Sequence, residues 1–112
     1  MIDERQLVAR HRGLDVETLH AWIEHGLVEP EHGANGFAFD DADAARVALI
    51  YDLHHGMGLP HESLPVILSL IDQLHGTRHS LRALTTAVSE QPEEIRVAIT
   101  SRTRIVLSRG RA

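Results

Sequence analysis

Glycines divide the first forty residues into segments too short for anything larger than a helix-turn-helix unit and a hairpin. Residues 3–12 are predicted to form a short helix that ends at Gly13, where a left-handed cap suits glycine. Asp15 is a good N-cap for a second helix over residues 16–25, and Gly26 ends that helix. Two short helices joined by a glycine-containing turn are typical of a helix-turn-helix.

A small β-wing is expected after the second helix. Residues 27–30 are a short strand candidate, and the Asn35-Gly36 pair that follows them is a strong signal for a hairpin turn. Phe37 and Phe39 are two positions apart, so they share one face of the returning strand. The expected N-terminal module is therefore a winged helix-turn-helix.

The C-terminal half is predicted to be helical, so that the whole fold is mainly α. Asp40 or Asp41 caps a third helix that runs to about His55, and Ser63 caps a fourth. Apolar residues of the fourth helix recur every seven residues, as in a coiled coil of three heptads. The seam positions are Ile67, Leu70, Leu74, Leu81, Leu84 and Val88. A homodimer through this seam is favoured because so short a chain buries little surface alone, and an intrachain hairpin with the third helix is the alternative.

The last twenty residues allow two structures. Ser89 begins a good helix-start sequence, yet Ile95, Val97 and Ile99 also alternate as in a strand. We predict a further short helix to about Arg102, followed by fraying. The tail is basic and contains no acid after residue 95; its arginines are Arg96, Arg102, Arg104, Arg109 and Arg111.

Length and composition exclude several classes of protein. The 112 residues are divided here into a winged-helix module, residues 1–58, and a C-terminal helical dimerisation region, residues 59–112. Because there is no cysteine, disulfides, a thiolate zinc site and a cysteine nucleophile are excluded. No apolar run is long enough for a membrane span, and the N-terminus does not resemble a signal peptide. A soluble intracellular protein is expected.

No pattern points to an enzyme, a cofactor or a metal centre. The chain has neither a nucleophile elbow nor a phosphate-binding glycine loop. His75 and His79 lie four apart on a predicted helix, but two ligands are too few for a tetrahedral site. His54, His55 and His61 could add ligands only if the fold brought them together.

The charge is unevenly distributed. Residues 1–45 hold three basic residues against ten acids, whereas residues 46–112 hold eight against six, and every basic residue is an arginine. An acidic N-terminal half is suited to a basic partner, although a solvated acidic surface is also common on small soluble proteins.

The order of these elements resembles the N-terminal module of the MerR superfamily. The positions that carry the resemblance are Gly13, Thr18-Leu19, residues 26–30 and residues 36–39. Within that superfamily, the Phe39-Asp40-Asp41 wing exit, the leucine-rich helix around residues 59–74 and Leu81-Arg82-Ala83-Leu84 resemble the chaperone-modulator family CbpM. This resemblance implies a bacterial cytoplasmic dimer that binds the J-domain of a DnaJ-like co-chaperone and blocks stimulation of its Hsp70.

The residues argue against DNA binding. Affinity for duplex DNA depends on Lys and Arg at phosphates, and base recognition usually needs Arg, Asn or Gln on the recognition helix. The second helix offers instead acids, Thr18 and histidines, and His20 stands where DNA-binding MerR relatives commonly have arginine. A MerR-like DNA-binding transcriptional regulator that uses the Arg tail is the alternative function, and a dimeric adaptor for another protein is a third.

The expected partner-binding residues are acids of the second helix, the wing and the wing exit, with an apolar anchor beside them. The acids are Glu24, Glu29, Glu31, Asp40, Asp41 and Asp43. Leu27 and Val28 are the candidate anchors, because charge pairs alone seldom supply enough affinity.

Overall fold

A computed structural model of the chain describes residues 1–110 and shows a mainly helical winged helix-turn-helix followed by two long helices. The strands are β1 (Ile2–Asp3), β2 (Glu31–Gly33) and β3 (Gly36–Phe39). The helices are α1 (Glu4–Ala9), α2 (Val16–Glu24), α3 (Asp41–Tyr51), α4 (Leu64–Ser89) and α5 (Glu93–Arg109). The expected fold class is confirmed.

The helix-turn-helix forms for the reasons that the sequence indicates. Asp15 caps α2 by accepting a hydrogen bond from the backbone N–H of Thr18 at 2.7 Å. Gly13 and Gly26 have φ angles of +87° and +75°, which few other residues adopt. Helix α1 is shorter than predicted because the chain leaves the α-helix at Arg10 and turns toward α2.

The wing is a three-stranded antiparallel sheet in the order β1-β3-β2. In its register, Glu31 pairs with Ala38 and Ile2 with Phe39. The predicted strand over residues 27–30 is wrong: the chain leaves α2 in an irregular segment, and the first strand of the hairpin begins at Glu31. The third strand, β1, was not predicted, because two residues carry no periodicity.

One apolar core holds α1, α2, the wing, α3 and the start of α4 together. The buried side chains are Leu7, Leu14, Leu19, Trp22, Leu27, Val28, Phe39, Val47, Ile50, Leu53, Leu64 and Leu68. Two polar contacts tie the loops to α3: Arg46 donates to the carbonyl of Leu27, and the Tyr51 hydroxyl donates to the carbonyl of Arg12.

Helix α3 ends four residues earlier than expected, at Tyr51. The chain continues as one π-helical turn, Asp52–Gly56, in which the N–H of Met57 reaches back to the carbonyl of Asp52 at 3.0 Å. A 3₁₀ turn, His61–Ser63, then leads directly into α4.

The chain forms two compact units, Met1–Leu70 and Ile71–Ala112. Within residues 71–110, no side chain is buried. Helix α5 begins at Glu93 and runs to Arg109, so the expectation of a shorter helix that frays after Arg102 is wrong. Arg111 lies outside the described residues. The division of the chain into residues 1–58 and 59–112 stays a prediction.

Candidate functional site

The acidic surface comprises the six predicted acids: Glu24, Glu29, Glu31, Asp40, Asp41 and Asp43. All are exposed except Asp43, which is half-buried. Because Glu31 pairs with Ala38 across the hairpin, the chain before Glu31 and the chain after Ala38 leave the wing at the same end. The sheet register therefore places Glu31 near the start of α3, where the three aspartates lie.

Two of these acids, Asp40 and Asp43, also cap the N-terminus of α3. The Asp40 carboxylate accepts from the N–H of Asp43 at 2.7 Å, and the Asp43 carboxylate accepts from the N–H of Asp40 at 3.1 Å. This reciprocal pair is a capping box, which satisfies backbone donors at the helix start. Substitutions of Asp40 or Asp43 therefore change helix stability as well as surface charge.

The expectation that Leu27 and Val28 are exposed apolar anchors is wrong. Their side chains are 6% and 1% exposed and belong to the core. The backbone of Leu27 is also fixed, since its N–H donates to the Trp22 carbonyl and its own carbonyl accepts from Arg46. The irregular segment after α2 packs inward, so neither side chain projects outward as an anchor that a partner could bury.

A concave apolar site that the sequence analysis missed lies beside these residues. This Trp22 pocket has a volume of about 310 Å³ and is lined by Ala21, Trp22, His25, Leu27, His61, Glu62 and Pro65. Trp22 is 2% exposed, and its indole N–H is buried without a hydrogen-bond partner among the described residues. No sequence pattern could have indicated the pocket, because it forms where the 3₁₀ turn before α4 meets α2.

Two histidines, His25 and His61, line the pocket, and His54 packs against one of them. His25 donates through Nδ1 to the Ala21 carbonyl at 2.7 Å, and His54 donates through Nδ1 to the Leu59 carbonyl at 2.8 Å. The rings of His54 and His61 stack with centroids 3.9 Å apart, and His61 meets the edge of Trp22 at 6.4 Å. Partial burial of the His61 ring lowers its pKa from the ordinary value, and His54 lowers it further.

The fold brings His54 and His61 together, but not as metal ligands. Stacked rings place their faces, not their nitrogen lone pairs, toward each other. Within residues 1–110, no group of three or more His, Asp and Glu side chains is placed to hold a metal ion.

Helix α2, which occupies the position of the recognition helix, has no Arg, Asn or Gln side chain that could recognise DNA bases. Its exposed side chains include Glu17, His20 and Glu24. His20 hydrogen-bonds through Nε2 to the Glu4 carboxylate of α1, and its ring lies 5.7 Å from the Phe37 ring, edge to face. The side chain at the position of the usual arginine is therefore engaged within the protein.

The predicted seam of α4 is largely exposed. Leu70, Leu74, Leu81 and Leu84 are each about half exposed, and Ile67 and Val88 are half-buried. Within the second unit, a groove of about 400 Å³ is lined by residues of both helices: Leu81, Leu84, Thr85, Val88, Ile99, Thr100, Thr103, Arg104 and Leu107. The contribution of α5 to this apolar surface was not predicted.

None of the helices within residues 1–110 is both long and apolar enough to cross a membrane.

The fold defines the chain as a helix-turn-helix protein of the winged class. A family model described as MerR HTH family regulatory protein matches residues 7–71, more than half of the chain. The chain belongs to the MerR family, whose regulatory domain is a non-enzymatic fold and whose members often dimerise. No curated protein and no solved structure matches the chain.

Proposed function

We propose that the chain is a non-enzymatic modulator that binds the J-domain of a DnaJ-like co-chaperone and blocks its stimulation of Hsp70 in the bacterial cytoplasm. The resemblance to the chaperone-modulator family suggests the partner and the direction of regulation. J-domains generally present a basic helix to Hsp70, and the acidic surface is complementary to such a helix.

The observation that carries the proposal is the charge of the winged unit. This unit, Met1–Leu70, has twelve carboxylates and four arginines, Arg5, Arg10, Arg12 and Arg46. The Arg46 side chain donates to the Leu27 carbonyl and is half-buried. The excess of carboxylates therefore favours the approach of a basic partner.

The chain is also proposed to act as a homodimer that forms through the seam of α4. Four leucines on one stripe are about half exposed, which leaves an apolar surface that a second copy would cover. In this arrangement each dimer carries two acidic surfaces.

The experiment is a titration with the isolated J-domain from the same genome, followed by calorimetry at low and physiological salt. The test variant Glu29→Lys plus Glu31→Lys avoids the capping box. It should raise Kd by about tenfold or more, because two charge reversals face a basic partner. Wild-type affinity should fall as salt rises.

The matched control is Glu90→Lys plus Glu94→Lys, which changes the net charge equally in the second unit. The control should bind the J-domain like the wild type. Equal weakening by both variants would mean that net charge alone acts, and no binding by the wild type would remove the J-domain as the partner.

The second candidate, a DNA-binding regulator, is favoured by the family match alone. A gel shift with the wild type at physiological salt distinguishes it. A retained shift that weakens when the tail arginines are replaced would support DNA binding; no shift together with J-domain binding would support the modulator.

A further inference from the structure

We infer that the Trp22 pocket is the apolar anchor site of the acidic surface and receives one leucine- or methionine-sized side chain from a basic helix of the protein partner. The inference rests on the proposed function and specifies how the partner is held. Charge pairs at an interface mainly set rate and specificity, whereas affinity depends on a few buried anchors. The buried positions of Leu27 and Val28 leave this role to another feature.

The shape of the pocket fits a single anchor. Its volume of about 310 Å³ is too small for a helix and large enough for one or two side chains. Trp22 and Leu27 form an apolar floor, and Ala21 and Pro65 add apolar walls. Such a floor under a polar mouth is typical of sites that bury an apolar group and fix its orientation.

The acids at the mouth of the pocket favour an anchor side chain that lies on a basic helix of the partner. Glu62 lines the pocket, and Glu24 directly precedes the lining residue His25 in the chain. Partial burial lowers the pKa of His61, which disfavours a positive charge on its ring beside Glu62. The groups that face His61 are His25, His54, His55, Glu62 and the Trp22 ring, and Glu62 is the acid among them.

The unpartnered indole N–H of Trp22 is a second, independent feature of the pocket. A buried donor without an acceptor is unfavourable. An occupant whose carbonyl or thioether group reached this N–H would give the donor an acceptor. The pocket is therefore expected to bind an anchor with an acceptor beside it better than a purely aliphatic one.

The test uses the full chain and the isolated J-domain. Because Trp22 is the only tryptophan, its indole N–H gives a single side-chain cross-peak of that type in a ¹H–¹⁵N spectrum. We expect this peak to shift downfield on saturation with the J-domain. Ala21→Met, which fills the pocket from the half-buried wall of α2, should raise Kd about tenfold.

The matched control is Ala83→Met, an equal substitution at an exposed position on the outer face of α4. It should leave Kd unchanged. Circular dichroism checks the fold of both variants, and the wild-type indole shift needs no variant at all.

The outcomes separate the pocket from the proposed function. A shifted indole peak and selective weakening by Ala21→Met support the anchor. An unmoved peak, with Ala21→Met binding like the wild type and Glu29→Lys plus Glu31→Lys binding more weakly, overturns the anchor and leaves the acidic surface in place. No J-domain binding by the wild type overturns both.

Discussion

The environment of His61 makes the stability of this protein depend on pH in the range where histidine titrates. Its folded pKa is lower than its ordinary value of 6.5, first because its ring is partly buried and then because His54 lies against it. The folded state therefore holds this proton less tightly than the unfolded state does. The contribution of His61 to stability is complete above pH 6.5 and is lost as the pH falls through 6.5 toward the folded pKa.

We therefore expect the free energy of unfolding to fall more steeply between about pH 7.5 and 5.5 in the wild type than in His61→Gln. Urea denaturation at the two pH values measures the difference. His79→Gln, which removes an exposed histidine of α4, is the control and should keep the wild-type dependence. Identical slopes for His61→Gln and the wild type would contradict the assignment.

At the scale of elements, the start of α3 combines a structural role with a proposed binding role. Asp40→Ala removes the acceptor for the N–H of Asp43 and should lower the free energy of unfolding by about 1 kcal/mol, within a range of about 0.5–2 kcal/mol. Asp40→Asn keeps an acceptor oxygen and should recover most of this loss. Urea denaturation of the three proteins tests the cap, and equal stability of all three would show that it contributes nothing.

Among the elements, helix ends could be predicted from the sequence, whereas the burial of a loop and the position of the pocket could not. Local rules were sufficient at Asp15 and Gly26, where a cap and a positive φ depend only on neighbouring residues. They failed at Leu27 and Val28, because the exposure of a segment after a helix depends on what packs over it. The Trp22 pocket joins parts of the chain that are about forty residues apart, so periodicity gives no signal for it.

For the whole molecule, the decisive feature is the apolar surface of the second unit. Residues 71–110 have no buried side chain, although they include Leu74, Leu81 and Leu84 on α4 and six large apolar side chains on α5 that are 37–65% exposed. Burial of apolar area is the main favourable term in folding and association. A second copy that covered this apolar surface would therefore add to the stability of the two helices.

We accordingly expect the wild type to sediment as a dimer whose dissociation depends on concentration. Leu74→Asp plus Leu81→Asp places two charges on the seam and should give monomers, since a charge buried at an apolar interface without a partner is strongly unfavourable. Ala83→Asp plus Thr86→Asp adds the same charge on the outer face of α4 and should remain dimeric. Analytical ultracentrifugation of the three proteins decides the matter: a monomeric wild type, or a seam variant as dimeric as the control, would exclude this seam.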